Sequence, residues 1–387
     1  MVRVKSSMIY LDHAAATPMD PLVIEVMQPY FSEKFFNPSS PYAPAVTVKR
    51  DYREAKSRIA RVLGVGADEL VMTAGATESI NLAFTAAGGV SLISAIEHSS
   101  VINSAKVRSS VRLIPPMKNG RIDSQAVKKL LTPDVSFMSI ALANHELGYI
   151  QPIEEIAEVV RAERLRRQEN GESTPLIFHT DASQTAAMMD VKIKRLGVDL
   201  LTLSAAKVYG PKQVGLLWIR PGVKLRPNIV GGGQEAGLRS GTENVAGVVG
   251  FAVALELAAK RCSGEVKRLR GLRDMLAKKL SAAFPDMIIS SDQKKSLVNF
   301  LNISFPGVDA ERLVFLLEAR GVLVATGSAC AANSGTRSHV LAAIGLGDTA
   351  IDGSLRLTLG RLNDEAQVMR AADEIITAVR TEQERKR

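Results

Sequence analysis

The chain has 387 residues, 46% of them hydrophobic and 23% charged, which is the balance of a globular protein long enough for two cores. Its net charge of +9 raises the question of nucleic-acid binding. The basic residues are scattered, however, and those in 261–273 and 382–387 have the helical spacing typical of a solvated face. A basic surface for an acidic protein partner is the alternative.

Two cysteines argue against a disulfide framework or a cysteine-rich metal site, and the five histidines show no zinc-binding spacing. The N-terminus has no apolar run long enough for a signal-peptide core. The longest apolar run, Gly250–Ala259, is about half of a membrane span and contains Glu256. The sequence therefore predicts a cytoplasmic protein with no membrane, direct nucleic-acid or resident metal partner.

The first two-thirds of the chain alternates short apolar runs with amphipathic stretches. The apolar runs predict strands at Leu70–Thr73, Val90–Ala95, Val111–Pro115, Val135–Leu142, Leu176–Thr180, Leu200–Ser204 and Val214–Ile219. The stretches between several of them predict helices, among them Ser79–Ala87, Ser124–Leu131 and Ile153–Gln168. This alternation, with strands rich in Val, Ile and Leu, predicts an α/β domain whose largely parallel sheet is covered on both faces.

The composition changes after Asn244. Helix-forming residues without proline continue to about Phe284 and predict a long helix, broken near Cys262–Gly264, that leaves the first domain. The remainder predicts strands at Leu301–Phe305 and Ser354–Leu359, helices at Ala310–Arg320, Ser338–Ile344 and Asp364–Thr381, and a loop at Thr326–Gly335. That pattern suits a smaller α+β domain.

Three segments of the first domain carry residues suited to chemistry. Thr73–Glu78 (TAGATE) lies between a strand and a helix, where small residues let backbone N–H groups approach an anion, although many such turns bind nothing. Asp181 ends an apolar strand and either points into a ligand crevice or caps the next helix. Lys207 lies between two buried strands and is either solvent-facing or a nucleophilic amine in the site.

Together these segments match a phosphate cradle, a carboxylate for a pyridine nitrogen and a Schiff-base lysine, the three requirements of pyridoxal 5'-phosphate (PLP). Their order is similar to that of the fold-type I, class V aminotransferases, and the chain most resembles the cysteine desulfurases along nearly its whole length. The resembling segments are Tyr10–Pro18 (YLDHAAATP), Asn37–Ser40 (NPSS), Thr73–Asn81 (TAGATESIN), Glu97–His98, Asn144–Pro152 (NHELGYIQP), His179–Gln184 (HTDASQ), Ser204–Pro211, Gly231–Asn244 (GGGQEAGLRSGTEN), Gly327–Cys330 (GSAC), Ser338–Leu341 (SHVL) and Ser354–Arg361 (SLRLTLGR).

The resemblance implies a division of the chain and a role for each matching residue. A large PLP-binding domain with a mostly parallel seven-stranded sheet would span 14–255, and a small α+β domain would span 1–13 and 256–387. The implied cofactor-binding residues are Ala76, Thr77 and Ser204 at the phosphate, Asp181 at the pyridinium nitrogen, Gln184 at the ring 3-oxygen, His98 stacked on the ring and shuttling protons, Lys207 in the Schiff base, Asn144, and Thr242 reaching the phosphate of a neighbouring subunit. Asn144 and Arg356 would position the substrate, with Arg356 on its carboxylate. The sharing of Thr242 implies a homodimer.

Cys330 is the implied nucleophile. A free cysteine is usually a small buried hydrophobe, but Cys330 lies in a polar, small-residue stretch, about 326–337, of the kind found in a mobile loop. The implied reaction converts L-cysteine to L-alanine, with the sulfur passing to the Cys330 thiolate as a persulfide. The spacing from GSAC to SHVL is similar to that of the long-loop type, which delivers sulfur directly to a protein, either an iron–sulfur scaffold or a tRNA-thiolation protein. Cys330 could then transiently ligate a cluster, whereas Cys262 is expected to be structural.

The chain also departs from the family pattern. Ala206 stands where a histidine usually donates to the cofactor phosphate. Loss of a hydrogen bond to a charged group costs about 1.5–3 kcal/mol, so we expect PLP to bind about ten- to a hundredfold more weakly. His145 replaces a common asparagine, and Tyr42 lies near a usual histidine position. The usual Gly-Lys pair is replaced by Ala187–Met188. The usual Glu-Pro pair is replaced by Thr336–Arg337, which puts a cation near the sulfur exit. Two alternatives remain: a non-catalytic dimer that binds a sulfur-pathway partner, and a sister PLP reaction, chiefly selenocysteine lyase.

Overall fold

A computed structural model describes residues 8–327 and 337–385 of the chain. Its strands are β1 Ile9–Tyr10, β2 Leu70–Thr73, β3 Val90–Ser94, β4 Ser110–Ile114, β5 Val135–Ser139, β6 Ile177–Asp181, β7 Leu200–Ser204, β8 Gly215–Ile219, β9 Ile288–Ile289, β10 Phe300–Ser304, β11 Val322–Leu323, β12 Ala325–Thr326 and β13 Ser354–Thr358. Its α-helices are α1 Pro21–Met27, α2 Pro29–Ser32, α3 Ala43–Leu63, α4 Ala76–Ala83, α5 Ser99–Arg108, α6 Ser124–Leu130, α7 Ile153–Glu169, α8 Ile193–Leu196, α9 Val245–Ala283, α10 Ala310–Ala319, α11 His339–Ala343, α12 Asp348–Asp352 and α13 Glu365–Arg385.

The first domain is built on a seven-stranded sheet in the order β2-β8-β7-β6-β5-β3-β4. β8 is antiparallel to both neighbours, and the other strands run in one direction. The central strands β5 and β7 are buried at every residue, because helices cover both faces and every side chain meets a core. The predicted α/β fold with a mostly parallel sheet is confirmed, and the predicted strands agree with the observed ones to within a few residues.

The long helix after Asn244 is continuous, so the predicted break near Cys262–Gly264 is wrong. A glycine inside a helix costs only about 1 kcal/mol relative to alanine, and packing at both ends outweighs that cost. Buried residues from Val245 to Ala258 belong to the core of the first domain, whereas those from Leu269 to Leu280 belong to a second core. The helix therefore ties the two cores together.

The second core is covered by the antiparallel sheet β12-β13-β10-β9, with α10 and α13 packed beside it. The N-terminal strand β1 pairs in parallel with β11, and Ile9 and Leu11 lie in this second core. The assignment of 1–13 to the small domain stays a prediction, and residues 1–7 lie outside the described residues. The division at residue 255 stays a prediction, and it falls inside α9.

Candidate active site

A cavity of about 1290 Å³ lies where the parallel strands end. Ligands of open α/β sheets bind at this edge because the strand ends open into a crevice there. Of the residues to which the resemblance assigns a site role, eight line it: Ala76, Thr77, His98, Asp181, Gln184, Ser204, Lys207 and Arg356. Arg356 reaches it from the second sheet, so both domains contribute to its wall.

One end of the cavity is an anion cradle at the start of α4. Gly75 precedes this helix with φ of +141°, a backbone conformation that favours glycine. A Cβ atom on Gly215 would lie 2.7 Å from the Gly75 backbone. Strand β8 can therefore pack this closely against the turn only because residue 215 is a glycine. The exposed N–H groups of the first helical turn, with Thr77 in that turn and Ser204 at the end of β7, fit a phosphate group.

Glu78 and Arg239 brace the same turn, a pair that the sequence analysis did not single out. Glu78 accepts a hydrogen bond from the Ala74 N–H at 2.8 Å and another from Arg239 Nε at 3.0 Å. The Arg239 guanidinium offsets the negative charge that Glu78 would otherwise place beside an anion. An acidic residue can therefore stiffen the cradle without repelling its ligand.

Lys207 ends a 3₁₀ turn, Ala205–Lys207, directly after β7. Its Nζ donates to the carbonyls of Ala14 and Ala15 at 2.7 and 2.6 Å, so the N-terminal segment holds the ammonium at the cavity. Tyr209 fixes the far side of this turn with φ of +62°, a strained conformation for a tyrosine. The Tyr209 N–H donates to Thr17 Oγ1 at 2.8 Å, and its hydroxyl accepts from the Arg361 N–H at 2.8 Å.

Ala206 lines the cavity beside Lys207 with a methyl group. Its carbonyl accepts hydrogen bonds from the Thr17 N–H at 3.0 Å and from the Thr17 hydroxyl at 2.9 Å, which fix the backbone of the turn. The backbone at this position is therefore fixed. The alanine side chain offers a ligand in the cavity no hydrogen-bond donor.

Asp181, Gln184 and His98 line the middle of the cavity. Asp181 ends β6, and one of its oxygens accepts from the Ser183 N–H at 2.9 Å, so it both caps a turn and faces the cavity. Gln184 Nε2 donates to the Ala14 carbonyl at 3.1 Å. His98 caps α5 through Nδ1, which accepts from the Ser100 N–H at 3.1 Å. Burial lowers the pKa of His98, and the Asp181 carboxylate offsets only part of that effect, so the ring is neutral at pH 7.

Arg356 forms the opposite end of the cavity from the cradle. Its side chain is buried, and it donates to the His145 carbonyl at 3.0 Å and to Asp12 at 2.7 Å. Its Nε atom has no hydrogen-bond partner among the described residues. The guanidinium is thus held in a fixed orientation by two of its five N–H groups. A fixed, planar guanidinium with N–H groups to spare suits a carboxylate.

Three predicted site residues are not placed in the cavity by the described structure. The Asn144 side chain donates to the Ile96 carbonyl and accepts from the N–H groups of Glu146 and Leu147, so it shapes the turn instead of lining the cavity. Thr242 is exposed outside the cavity. Cys330 lies outside the described residues.

Four other residues near the cavity lie in the segments that resemble the cysteine desulfurases, but the resemblance assigned them no role in the site. These are Glu97, His145, Glu146 and His339. Burial raises the pKa of Glu97 to about 8, although the Ala141 N–H donates to its carboxyl at 2.9 Å. Burial likewise raises the pKa of Glu146 to about 8. Each glutamate stands next to a histidine in the sequence, and this pairing could have marked both as candidate site residues. Glu97 comes shortly after the buried strand β3, and Glu146 lies within a tight turn.

These residues fit PLP. The cradle offers donors to a phosphate, Asp181 offers a carboxylate to a pyridinium nitrogen, and Lys207 offers an amine to an aldehyde. Among residues 8–327 and 337–385, no cluster of three or more His, Cys, Asp or Glu side chains could hold a metal ion. Within the same ranges, no helix is long and apolar enough to cross a membrane.

Comparison with known proteins agrees with this chemistry. Residues 9–370 match the family model described as aminotransferase class-V. The chain is 39% identical over 374 residues to cysteine desulfurase IscS 1 of Archaeoglobus fulgidus, covering 94% of both chains. It is 38% identical over 363 residues to cysteine desulfurase IscS of Dictyoglomus turgidum, covering 91% of this chain and 89% of that one.

Solved structures give the same relationship. A NifS-like protein superposes with a TM-score of 0.88 at 33% identity, covering 97% of this chain and 100% of that one. SspA in complex with cysteine superposes with a TM-score of 0.78 at 32% identity, covering 91% of this chain and 98% of that one. The chain therefore belongs to the aminotransferase class-V family and, within it, to the cysteine desulfurases.

Proposed function

We propose that the protein is a PLP-dependent cysteine desulfurase that converts L-cysteine to L-alanine and transfers the sulfur to Cys330. The observation that carries this proposal is the joint presence in one cavity of the anion cradle, Asp181, Lys207 and Arg356. These groups have four different chemical tasks, and a structural role would not require them to face the same space.

The cofactor would be held by residues from the strand ends. The first turn of α4, with Ala76 and Thr77, and Ser204 would bind its phosphate, Asp181 would bind its ring nitrogen, and Gln184 would bind its 3-oxygen. When bound, PLP supplies an electron-withdrawing ring that stabilises negative charge at the substrate α-carbon. Lys207 would hold the cofactor covalently at rest, and its amine, once released, would take the α-proton of the substrate.

The substrate would be oriented from the opposite end. Arg356 would bind the carboxylate of L-cysteine, and His98, neutral and partly buried, would exchange protons with the reacting centre. Asn144 supports this end indirectly, because its side chain orders the turn that carries His145. Its assignment as a direct ligand of cofactor or substrate stays a prediction.

Sulfur transfer would use the Cys330 thiolate. Its sulfur bonds to the substrate sulfur as the carbon–sulfur bond breaks, and the carbon keeps the electron pair and takes a proton to give alanine. Cys330 is oxidised to a persulfide while the substrate carbon is reduced. A protein acceptor, either an iron–sulfur scaffold or a tRNA-thiolation protein, would then receive the persulfide sulfur.

We propose that the protein acts as a homodimer. Phe35 and Tyr42 are more than half exposed, and they pack with Phe36 into a surface aromatic cluster, with ring centroids 4.5 and 6.1 Å apart. Contiguous apolar surface of this kind is typical of an interface. Thr242, exposed and outside its own cavity, is available to the cavity of a second copy.

Sedimentation velocity should show a dimer. Phe35→Glu should weaken this dimer, whereas Val107→Glu, at an exposed site on α5, should leave it intact.

The activity can be tested with purified protein, added PLP and L-cysteine, measuring the visible absorbance of the bound cofactor together with sulfide and alanine. Lys207→Ala should abolish the absorbance band of the linked cofactor and both products. Cys330→Ala should keep the band and lose sulfide. Cys262→Ala is the matched control, because Cys262 lies on α9 away from the cavity, and it should keep both.

The outcome also decides between the alternatives. Absence of the band and of sulfide at saturating PLP would contradict the proposal and favour a non-catalytic sulfur-pathway partner. Turnover of L-selenocysteine with none of L-cysteine would favour a selenocysteine lyase.

A further inference from the structure

His145 and Glu146 form a polar pair at the Arg356 end of the cavity that the proposed function does not use. The His145 ring lines the cavity between two other histidines, with ring centroids 5.1 Å from His98 and 6.5 Å from His339. Its Nε2 lies 3.7 Å from Glu146 Oε1, an oxygen with no hydrogen-bond partner among the described residues. A buried, unpaired carboxyl oxygen beside a ligand-facing imidazole calls for a functional explanation.

The pair lies close to where the substrate side chain must go. Arg356 donates to the backbone carbonyl of His145 at 3.0 Å, so the group proposed to bind the substrate carboxylate and the His145 ring belong to adjoining walls. L-cysteine has only one carbon between its α-carbon and its sulfur. Once its carboxylate is at Arg356 and its amine faces the Lys207 side, the sulfur can reach only the groups next to Arg356.

The same pair also lies between the chain segments that flank residues 328–336. Glu146 Oε2 accepts a hydrogen bond from Ser338 Oγ at 2.6 Å. A Cβ atom on Gly327 would lie 3.5 Å from that same oxygen. The residues on both sides of the segment that contains Cys330 therefore meet at Glu146.

The protonation state of His145 suits sulfur binding. Burial lowers its pKa well below the usual value, and the nearby basic groups lower it further; these are His98, Arg356, His339 and Lys207. The acidic neighbour, Glu146, has its pKa raised to about 8 by burial, so it carries little charge at pH 7. A neutral imidazole has one donor and one acceptor nitrogen. It can therefore accept a hydrogen bond from a thiol or donate one to a thiolate.

We infer that His145, positioned by Glu146, binds the sulfur atom of L-cysteine and thereby selects a thiol over a methyl side chain in this cavity. This inference rests on the proposed function. It assigns a specificity-determining role to His145 and a positioning role to Glu146, and it requires no covalent step beyond those already given.

The test uses PLP-loaded Cys330→Ala protein, which binds amino acids without removing sulfur. L-cysteine and L-alanine, which differ only in the sulfur atom, are titrated while the absorbance of the bound cofactor is followed. His145→Phe, which keeps a ring and removes both nitrogens, should weaken L-cysteine binding about tenfold and leave L-alanine binding within about twofold. Glu146→Gln, which still accepts from Ser338, should change the cysteine-to-alanine ratio in the same direction by a smaller factor.

His339→Phe is the matched control, because its Nε2 already bonds to the Glu97 carbonyl at 2.9 Å. It should leave the ratio unchanged. An equal change for both ligands in His145→Phe, or an equal change of the ratio in both histidine variants, would overturn the assignment to His145. Failure of both amino acids to perturb the cofactor in the parent protein would instead refute the proposed function, and the inference with it.

A second measurement does not depend on affinity. The chain has only five histidines, so ¹³C-labelled imidazole signals can be assigned by single substitutions. Addition of L-cysteine should shift the His145 signal, and L-alanine should shift it less. His179 is an internal reference, because both of its ring nitrogens are bonded, to Ser139 at 2.8 Å and Thr202 at 3.0 Å, away from the cavity. A His145 signal that responds equally to both ligands would contradict sulfur binding.

Discussion

The two ends of the cavity are built differently. The cofactor end consists of strand termini and the turns after them, with Asp181 ending β6, Ser204 ending β7 and Lys207 three residues further on. The substrate end is assembled from distant parts of the chain, since Arg356 comes from β13 of the second sheet and its ion-pair partner Asp12 from the N-terminal segment. Strand ends set the positions of the residues at the first end, and the N-terminal segment then holds the Lys207 and Gln184 side chains. The second end arises from packing between the two domains.

This difference predicts that substitutions at the two ends affect separate properties. Arg356→Lys should have the largest effect, lowering kcat/KM for L-cysteine about 100-fold, because a lysine cannot reproduce the fixed fork that binds a carboxylate. The affinity for PLP should stay within a few-fold of the original. Steady-state kinetics and a PLP titration check both. Arg320→Lys, in a partly exposed ion pair with Glu374, is the matched control, and a large loss of PLP affinity in Arg356→Lys would contradict the separation of the two ends.

Gly215→Ala should have the opposite signature at the cofactor end. Its Cβ would lie 2.7 Å from the Gly75 backbone and 2.8 Å from the Leu203 carbonyl, so the cradle must shift. We expect PLP affinity to fall about 30-fold with a loss of stability of about 1–3 kcal/mol. Gly264→Ala, whose Cβ would meet nothing within 4 Å in α9, is the control and should raise the free energy of unfolding by about 0.5–1 kcal/mol. Unchanged PLP binding in Gly215→Ala would contradict the assignment of the cradle.

Ala206→His should strengthen the cofactor end by about tenfold in PLP affinity, since it adds a donor to a charged group from a fixed backbone. The measurement is the dissociation constant of PLP from equilibrium dialysis or absorbance titration. No gain in affinity would mean that the missing donor is already replaced by water or by a neighbouring group, and would count against the predicted weakening.

Glu97→Gln should have the smallest effect on cofactor and substrate binding, because it should change only how stability depends on pH. Because burial raises the folded-state pKa of Glu97 from its ordinary value of 4.5 to about 8, the folded state binds more protons than the unfolded state between these two pH values. Stability contributed by this group is then present at low pH and is lost as pH rises towards 8, by up to about 1.4 kcal/mol per pH unit. Glu97→Gln should flatten that decline. The free energy of unfolding is measured at pH 5 and pH 8 by urea unfolding, followed through the fluorescence of Trp218, the single tryptophan. If the free energy of unfolding falls equally between these pH values in the variant and in the original protein, Glu97 does not titrate in this window.

The sequence predicted the cofactor end well because that end depends on local order. Strands such as Leu200–Ser204 are continuous apolar runs, and a polar residue directly after such a run must lie at the sheet edge. Asp181 and Lys207 stand at or just after such runs, although the residues alone leave open that Asp181 caps a helix and that Lys207 faces solvent. The resemblance to the cysteine desulfurases added the individual roles, and family membership is confirmed by the match over residues 9–370.

The sequence by itself determined the α/β fold and the position of the TAGATE turn and the strand-end residues at the edge of the sheet, because each follows from the pattern of neighbouring side chains. Only the tertiary structure decided that α9 runs unbroken through Gly264, that the Asn144 side chain holds a turn, and that His145 and Glu146 stand beside Arg356. These features depend on contacts between segments up to 344 residues apart, such as Arg356 with Asp12. Burial then sets the protonation of Glu97 and Glu146, and no local sequence pattern specifies how completely a carboxyl will be removed from water.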